Sequence, residues 1–448
     1  MFRRCRTAAS FAALDHAAAA TRNAITAPAV SRTMQVMSRV AVVAVLALCE
    51  ACNPGYPAAP AEGGPPWTEL TSEHFTVWTD AEPSRVCLLI RELEQFRDMM
   101  AAVAYPTAPA SGRALAVVMR NDRELSEVNN LGEPRAMTHA ATAPLWQPLV
   151  LLSLPGAEHR TLAHELSHLV SLAVIHHQSR WLSEGMAAYF ESAQLAADGT
   201  GVTIGAAPAR YGSTLRLAPL ARLFRWAEVA SIAEERALYQ TAWALVAYLL
   251  NEHKAELGHY LWLIEHTVDP ANPPWRDQQQ RAWDTAFPSL PLDELGDRLA
   301  QWLRYGSHRE LRFYLRPGHA PVTARRLTDA DTYAVRSFLF DGPSPEQHSR
   351  GRAELAQALA REPTNVLAWV LRAVDGAQPP AGVGRAIAAA HPDDWRAWWL
   401  AAMAIERDGG EPAELDRARG QACALIARNR ALVAPPRLCP DLRHASAR

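Results

Sequence analysis

Thr161-Leu-Ala-His-Glu-Leu-Ser-His-Leu-Val170 is the stretch on which the fold turns. Read as a helix, at about 100° per residue, it sets His164 and His168 on one face, where both imidazoles can reach a single Zn2+. Glu165 sits beside them, off the metal, as the candidate base that takes a proton from water polarised by the ion and passes it to a leaving amine. Leu162, Leu166 and Leu169 fall on the opposite face. That spacing predicts a helix buried on one side and open to a cleft on the other.

A catalytic zinc needs a third protein ligand and keeps a fourth position for water or substrate. A Gly and then a His beyond the second histidine would make a metzincin, but Ser171 and Val174 stand at those positions. Downstream, Trp181-Leu-Ser-Glu-Gly-Met-Ala-Ala-Tyr-Phe-Glu191 reads as a second apolar, Ala-rich helix, and Glu184 near its start is the candidate third ligand. Ser183 or a nearby residue is its expected cap, and a short loop through Gln178 and Ser179 would fold it back beside the first helix.

These segments resemble the gluzincins of the peptidase-MA type, and within them the bacterial peptidase-MA-like proteins that carry a WLxEGxAxYFE segment. The likeness takes in the segment Trp67 to Asp80 and a later run from Tyr239 to Leu250, and covers residues 67–310. Trp-Leu-x-Glu-Gly also occurs in the aminopeptidase N group, but the Gly-Ala-Met-Glu-Asn exopeptidase signature of that group is missing here. The resemblance implies an α+β, zincin-like catalytic domain with a small N-terminal sheet and a helical lower half. It further implies an endopeptidase in which His164, His168 and Glu184 hold one Zn2+ and Glu165 is the general base. Tyr239 is the candidate donor to the tetrahedral oxyanion, although a tyrosine near a helix start is also an ordinary amphipathic core residue. Some gluzincins place an aspartate beside a metal histidine where this chain has Ala188, and Glu191 is the candidate replacement. Pro148-Leu-Val-Leu-Leu-Ser153, just before the zinc helix, is by resemblance an edge strand that holds an extended peptide by strand addition. The alternative, read from its residues alone, is a purely buried core strand.

At 448 residues and 49% hydrophobic content, the chain can build two or three domains with a real core. A net charge of -2 supplies no basic field, which argues against nucleic acid as a partner. Six cysteines in a chain of this length are not a disulfide scaffold, and Cys423 and Cys439 are either a disulfide pair or two ordinary thiols.

Residues 1–52 read as an export signal. Met37-Ser-Arg39 supplies a positive start and Val40 to Leu48 an apolar run too short to span a bilayer. Residues 1–33 are either a long leading region or lie ahead of a true start at Met34 or Met37. Ala51 before Cys52 suits a lipoprotein signal, with membrane attachment through a lipidated Cys52; Cys49 and Glu50 suit it poorly, which leaves simple cleavage as the alternative. Both routes predict a periplasmic or cell-envelope protein. Residues 53–66, rich in Pro, Ala and Gly, are the expected linker, and folding is expected to begin near Trp67.

Strands are expected over His74 to Thr79 and Ala114 to Arg120, and helices over Ser84 to Val103 and Asp122 to Val128. Further helices are expected over Leu220 to Trp226, Glu234 to Asn251, Leu257 to Val268 and Gln278 to Tyr305. His253, His259 and His266 are spaced by six and seven, which makes no compact metal set. His176 and His177 are expected to end the zinc helix, where the helix dipole favours them.

Residues 328–448 turn to Ala, Arg and Trp with helical periodicity. Ala-Leu-Ala-Arg-Glu-Pro363 leading to Trp369 recurs as Ala-Ile-Ala-Ala-Ala-His-Pro392 leading to Trp398, 29 residues later. The pattern resembles a degenerate tetratricopeptide repeat, whose stacked helix pairs offer a groove for a protein partner or merely cap the catalytic domain. Two functions from different classes follow: an exported zinc metallopeptidase acting on peptide or protein, or a catalytically inactive gluzincin-fold scaffold working through its helical repeats. Retention of Glu165, which neither binds metal nor packs, weighs for the enzyme. A closed structural zinc site favours four protein ligands, and no fourth is apparent.

Overall fold

The computed structural model describes residues 58–428, apart from 106–112, 130–135, 140–144, 146–147, 156–157, 173, 176–177, 197, 199, 208–214, 227–228, 269–274, 307–309, 316–320 and 342–343, together with Arg3–Arg4 and Leu438–Cys439. The export run, Cys52 and His176–His177 lie outside the described residues. The first half of the chain runs β1 (Thr68–Thr71), β2 (Phe75–Thr79), α1 (Pro83–Val103), β3 (Ala114–Met119), α2 (Asp122–Asn129), β4 (Ala136–His139), β5 (Leu149–Ser153), α3 (His159–Leu172), α4 (Arg180–Phe190), β6 (Gln194–Leu195) and β7 (Gly201–Ile204). Then come α5 (Leu220–Leu223), α6 (Ile232–Glu252), α7 (Lys254–Thr267), α8 (Trp275–Ala286), α9 (Leu292–Tyr305), β8 (Leu311–Tyr314) and β9 (Thr323–Arg326). The chain closes with α10 (Asp329–Phe340), α11 (Pro345–Arg361), α12 (Val366–Val374), α13 (Ala381–Ala390), α14 (Trp395–Arg407) and α15 (Pro412–Arg428). Among the described residues, fifteen helices and a mixed sheet make this an α+β protein.

The main sheet has the order β9-β1-β2-β3-β5-β4, with Arg3–Arg4 added outside β9. β2, β3 and β5 are parallel, with Phe75 opposite Ala114 and Leu115 opposite Leu149, while β4 runs antiparallel to β5 with Thr138 opposite Val150. A strand buried on both faces reads as an unbroken apolar run, and β3 and β5 do. Ala116, Val118, Val150 and Leu152 face a front core shared with α1, α3, α4 and α6. Leu115, Val117, Met119, Leu149 and Leu151 face a back core shared with α10, α11 and α12. β6, β7 and β8 form a separate antiparallel sheet.

Four expectations change. β5 is an inner strand, paired on both sides, so the buried-strand reading holds for it and the terminal strand is β4. The sheet does not end by residue 310, because β9 pairs with β1 and the C-terminal helices complete its back core. Residues 58–66 are not a free tether: Ala59 is buried, and Glu62 accepts hydrogen bonds from the Ala59 amide and the Tyr333 hydroxyl. The run from Gln278 to Tyr305 is two helices, interrupted between Phe287 and Pro291, where Pro288 lacks the amide a helix needs.

The C-terminal repeat is visible as repeated bonding. Trp369 Nε1 donates to the Pro363 carbonyl at 2.7 Å and Trp398 Nε1 to the Pro392 carbonyl at 2.9 Å. Asn365 and Asp394, equivalent positions in the two copies, cap α12 and α14 with their side chains. A disulfide between Cys423 and Cys439 ties Leu438–Cys439 to α15. Among the described residues no helix is long and apolar enough to cross a membrane.

Candidate metal centre

Close helix packing creates the site. α3 buries Leu162, Ala163, Leu166 and Leu169 in the front core and turns its histidines toward α4. α4 in turn lies against α6, and Gly185 permits the approach: a Cβ there would fall 2.7 Å from the Ala242 carbonyl oxygen and 2.8 Å from Val246 Cγ2. α4 begins a turn earlier than its sequence suggests, with Ser179 at the N-cap position, so Ser183 is not the cap. Glu184 consequently stands in the second turn, facing the histidines.

His164 Nε2 and His168 Nε2 are 3.3 Å apart, and Glu184 Oε2 lies 3.6 Å from each. Tetrahedral zinc, with ligands at about 2.0–2.1 Å, separates them by about 3.3–3.5 Å. The triangle therefore fits Zn2+ within a few tenths of an ångström, whereas 3.6 Å is too long for a hydrogen bond. Glu184 Oε2 is buried and has no hydrogen-bond partner, as expected of a ligand atom. Among the described residues this is the one group of three or more His, Cys, Asp or Glu side chains spaced to hold a metal.

Each outer nitrogen has a neighbour, a hydrogen-bond partner for His168 and a nearby carboxylate for His164. His168 Nδ1 is 2.9 Å from Ser183 Oγ, and His164 Nδ1 is 3.6 Å from Glu191 Oε2. Both contacts leave Nε2 of each ring turned inward. Glu191, the candidate replacement for the aspartate that Ala188 lacks, thus lies beside His164. Ser183 was missed because a serine just ahead of a helical run reads first as a cap.

Charge at the centre is weighted toward a cation. Burial would lower the pKa of His164, but the Glu184 and Glu191 carboxylates, with Glu165, outweigh it and push the imidazole up to about 9. Burial likewise works against ionising Glu184, and the two imidazoles outweigh it, holding the carboxyl well below its usual range. Glu165 is half-buried on α3 and outside the triangle, close enough for its charge to act on His164. Tyr239 packs edge-on against Trp226, with ring centroids 5.0 Å apart. Burial and the nearby Glu184 charge push its phenol far above the ordinary tyrosine range, so the hydroxyl stays a donor.

The remaining histidines lie elsewhere: His253 bonds the Tyr248 hydroxyl at 3.1 Å, and His266 stacks on the exposed Trp262. A cavity of about 790 Å³ opens behind the sheet, between Thr76 and Trp78 on one side and Pro392 and Trp395 on the other. Its size does not make it the chemical site, because charges of both signs line it without converging on a point. No family model matches the chain, and no curated protein is significantly similar to it in sequence.

Proposed function

We propose that this chain is an exported, zinc-dependent endopeptidase with a zincin-like catalytic domain of the gluzincin type. The observation that carries the proposal is the ligand triangle of His164, His168 and Glu184, with edges of 3.3, 3.6 and 3.6 Å and an outer partner on each imidazole. Bound there, Zn2+ supplies Lewis acidity and brings the pKa of water toward about 7. Glu165 takes the proton from the attacking water and delivers it to the leaving amine. Tyr239, kept protonated by burial, donates to the oxyanion that develops on the scissile carbonyl. β4, the terminal strand of the sheet, offers backbone groups on its outer side to an extended peptide, the role the sequence had suggested for β5. Helices α10, α11 and α12 act first as the back wall of the catalytic sheet. Export, with or without a lipid on Cys52, places the enzyme in the cell envelope.

The test compares wild type with Glu165→Gln on an unstructured protein substrate, after zinc loading of residues 53–448. Glu165→Gln should hold about one zinc per chain and lose cleavage by roughly 10²–10⁴-fold, the usual contribution of a positioned base. Undiminished cleavage by the variant contradicts the peptidase mechanism. A zinc-loaded wild type that cleaves nothing favours the scaffold.

A further inference from the structure

Arg180 opens α4 one helical turn before Glu184, so both side chains leave the same face of the helix. Its guanidinium carbon lies 4.6 Å over the ring of Trp226, and Tyr239 packs edge-on against the same ring at 5.0 Å. The guanidinium lies close enough to the Tyr239 hydroxyl for its charge to favour ionisation of the phenol, and it reaches Glu235 Oε1 at 3.4 Å. Trp226 is 5% exposed, which makes it a fixed plate between the two side chains. Arg180, Trp226, Glu235 and Tyr239 thus form one cluster, drawn from α4, α6 and the segment that follows α5.

A donor to developing charge works only if held in place before the reaction, and a displacement of about 1 Å can cost roughly a hundredfold in rate. A tyrosine on a helix is otherwise free to swing about two torsions. A planar guanidinium stacked on indole is suited to stopping that motion, because its fork donates in fixed directions while its face stays on the ring. The phenol oxygen can accept from Arg180 and still donate its own proton elsewhere. Such a relay polarises the O–H bond that points away from the arginine.

We propose that Arg180 is a positioning residue for Tyr239: clamped on Trp226 and Glu235, it fixes and polarises the phenol hydroxyl beside the metal-binding carboxylate. This role rests on the peptidase reading above. Arg180 touches neither metal nor substrate and acts through Tyr239.

The test uses the zinc-loaded full chain and the variants Arg180→Ala, Arg180→Lys, Tyr239→Phe and the double variant Arg180→Ala/Tyr239→Phe. Arg180→Ala should lower kcat roughly tenfold, with KM and zinc content unchanged, and Tyr239→Phe at least as much. The double variant should be no slower than Tyr239→Phe alone, since both changes remove one interaction. Arg180→Lys should recover only part of the rate, because an ammonium neither stacks nor forks. Independent, multiplying losses in the double variant overturn the proposal, as does a loss confined to KM or to melting temperature. A second readout needs no activity: the 13C resonance of Tyr239 Cζ, identified by its disappearance in Tyr239→Phe, should move in Arg180→Ala and return toward wild type in Arg180→Lys. A resonance that stays put overturns the clamp. If wild type cleaves nothing, the peptidase reading fails by itself, and the resonance alone decides whether the clamp exists.

Discussion

Behind the sheet, Arg336 of α10 meets both carboxylate oxygens of Glu354 on α11, at 3.0 and 2.6 Å, while in front of it Glu184 stops 3.6 Å short of either imidazole. Both clusters are charged and buried or nearly so; they differ in how the charges are satisfied. Arg336, 1% exposed, finds its counter-charge inside the protein and lies 5.0 Å from the Phe340 ring centre. The front cluster has the spacing of ligands around an ion, not that of hydrogen-bond partners. Its polarity is aimed at a point, whereas the rear pair is complete in itself.

The widest gap between the two regions should appear in stability without metal. Glu354→Ala leaves a guanidinium buried and unable to shed its proton, which should cost about 3–5 kcal/mol in urea unfolding. Glu184→Gln in zinc-free protein should cost less, about 1–2 kcal/mol, because His164, unlike a guanidinium, can shed its proton once the carboxylate that favours its charged form is gone. Equal losses for the two variants would erase the distinction. A smaller effect is expected at Gly185, where Ala would drive a methyl against the Ala242 carbonyl; overpacking of this kind should cost about 1–3 kcal/mol and weaken zinc binding by parting α4 from α6. Unchanged stability and affinity in Gly185→Ala would show that the close approach is incidental. Smallest of all is Ser183→Ala, which removes the hold on His168 Nδ1 and should weaken zinc affinity about tenfold while leaving zinc-free stability within about 0.5 kcal/mol. Competition with a chelator reads that change directly.

The legibility of the sequence follows the same division. That His164 and His168 share a face could be read because helix geometry alone fixes their relation, and that Glu184 comes near them because the Trp181–Glu191 segment follows closely and resembles that of gluzincins. Ser183 and Arg180 could not, since their partners are set by where α4 begins and by how α6 lies against it. The strand β4 escaped notice because Ala136-Met-Thr-His139 is too short to show a period, and without it β5 looked terminal. The back core was hidden for another reason: β3 and β5 are apolar at every position but one, which says that both faces are covered and not by what. In the C-terminal helices the repeat itself was readable, down to the prolines and tryptophans that now share a hydrogen bond. Their docking on the sheet was not, because it depends on contacts across more than 200 residues of sequence, such as Tyr333 with Glu62.

Zinc uptake by the full chain, measured side by side for wild type and Glu184→Ala, tests the candidate metal centre most directly. The ligand triangle predicts one zinc per wild-type chain and an affinity about a hundredfold weaker, or worse, in the variant. A wild type that takes up no zinc, or a Glu184→Ala variant that holds it as tightly, would contradict the claim that these two helices were packed to grip an ion.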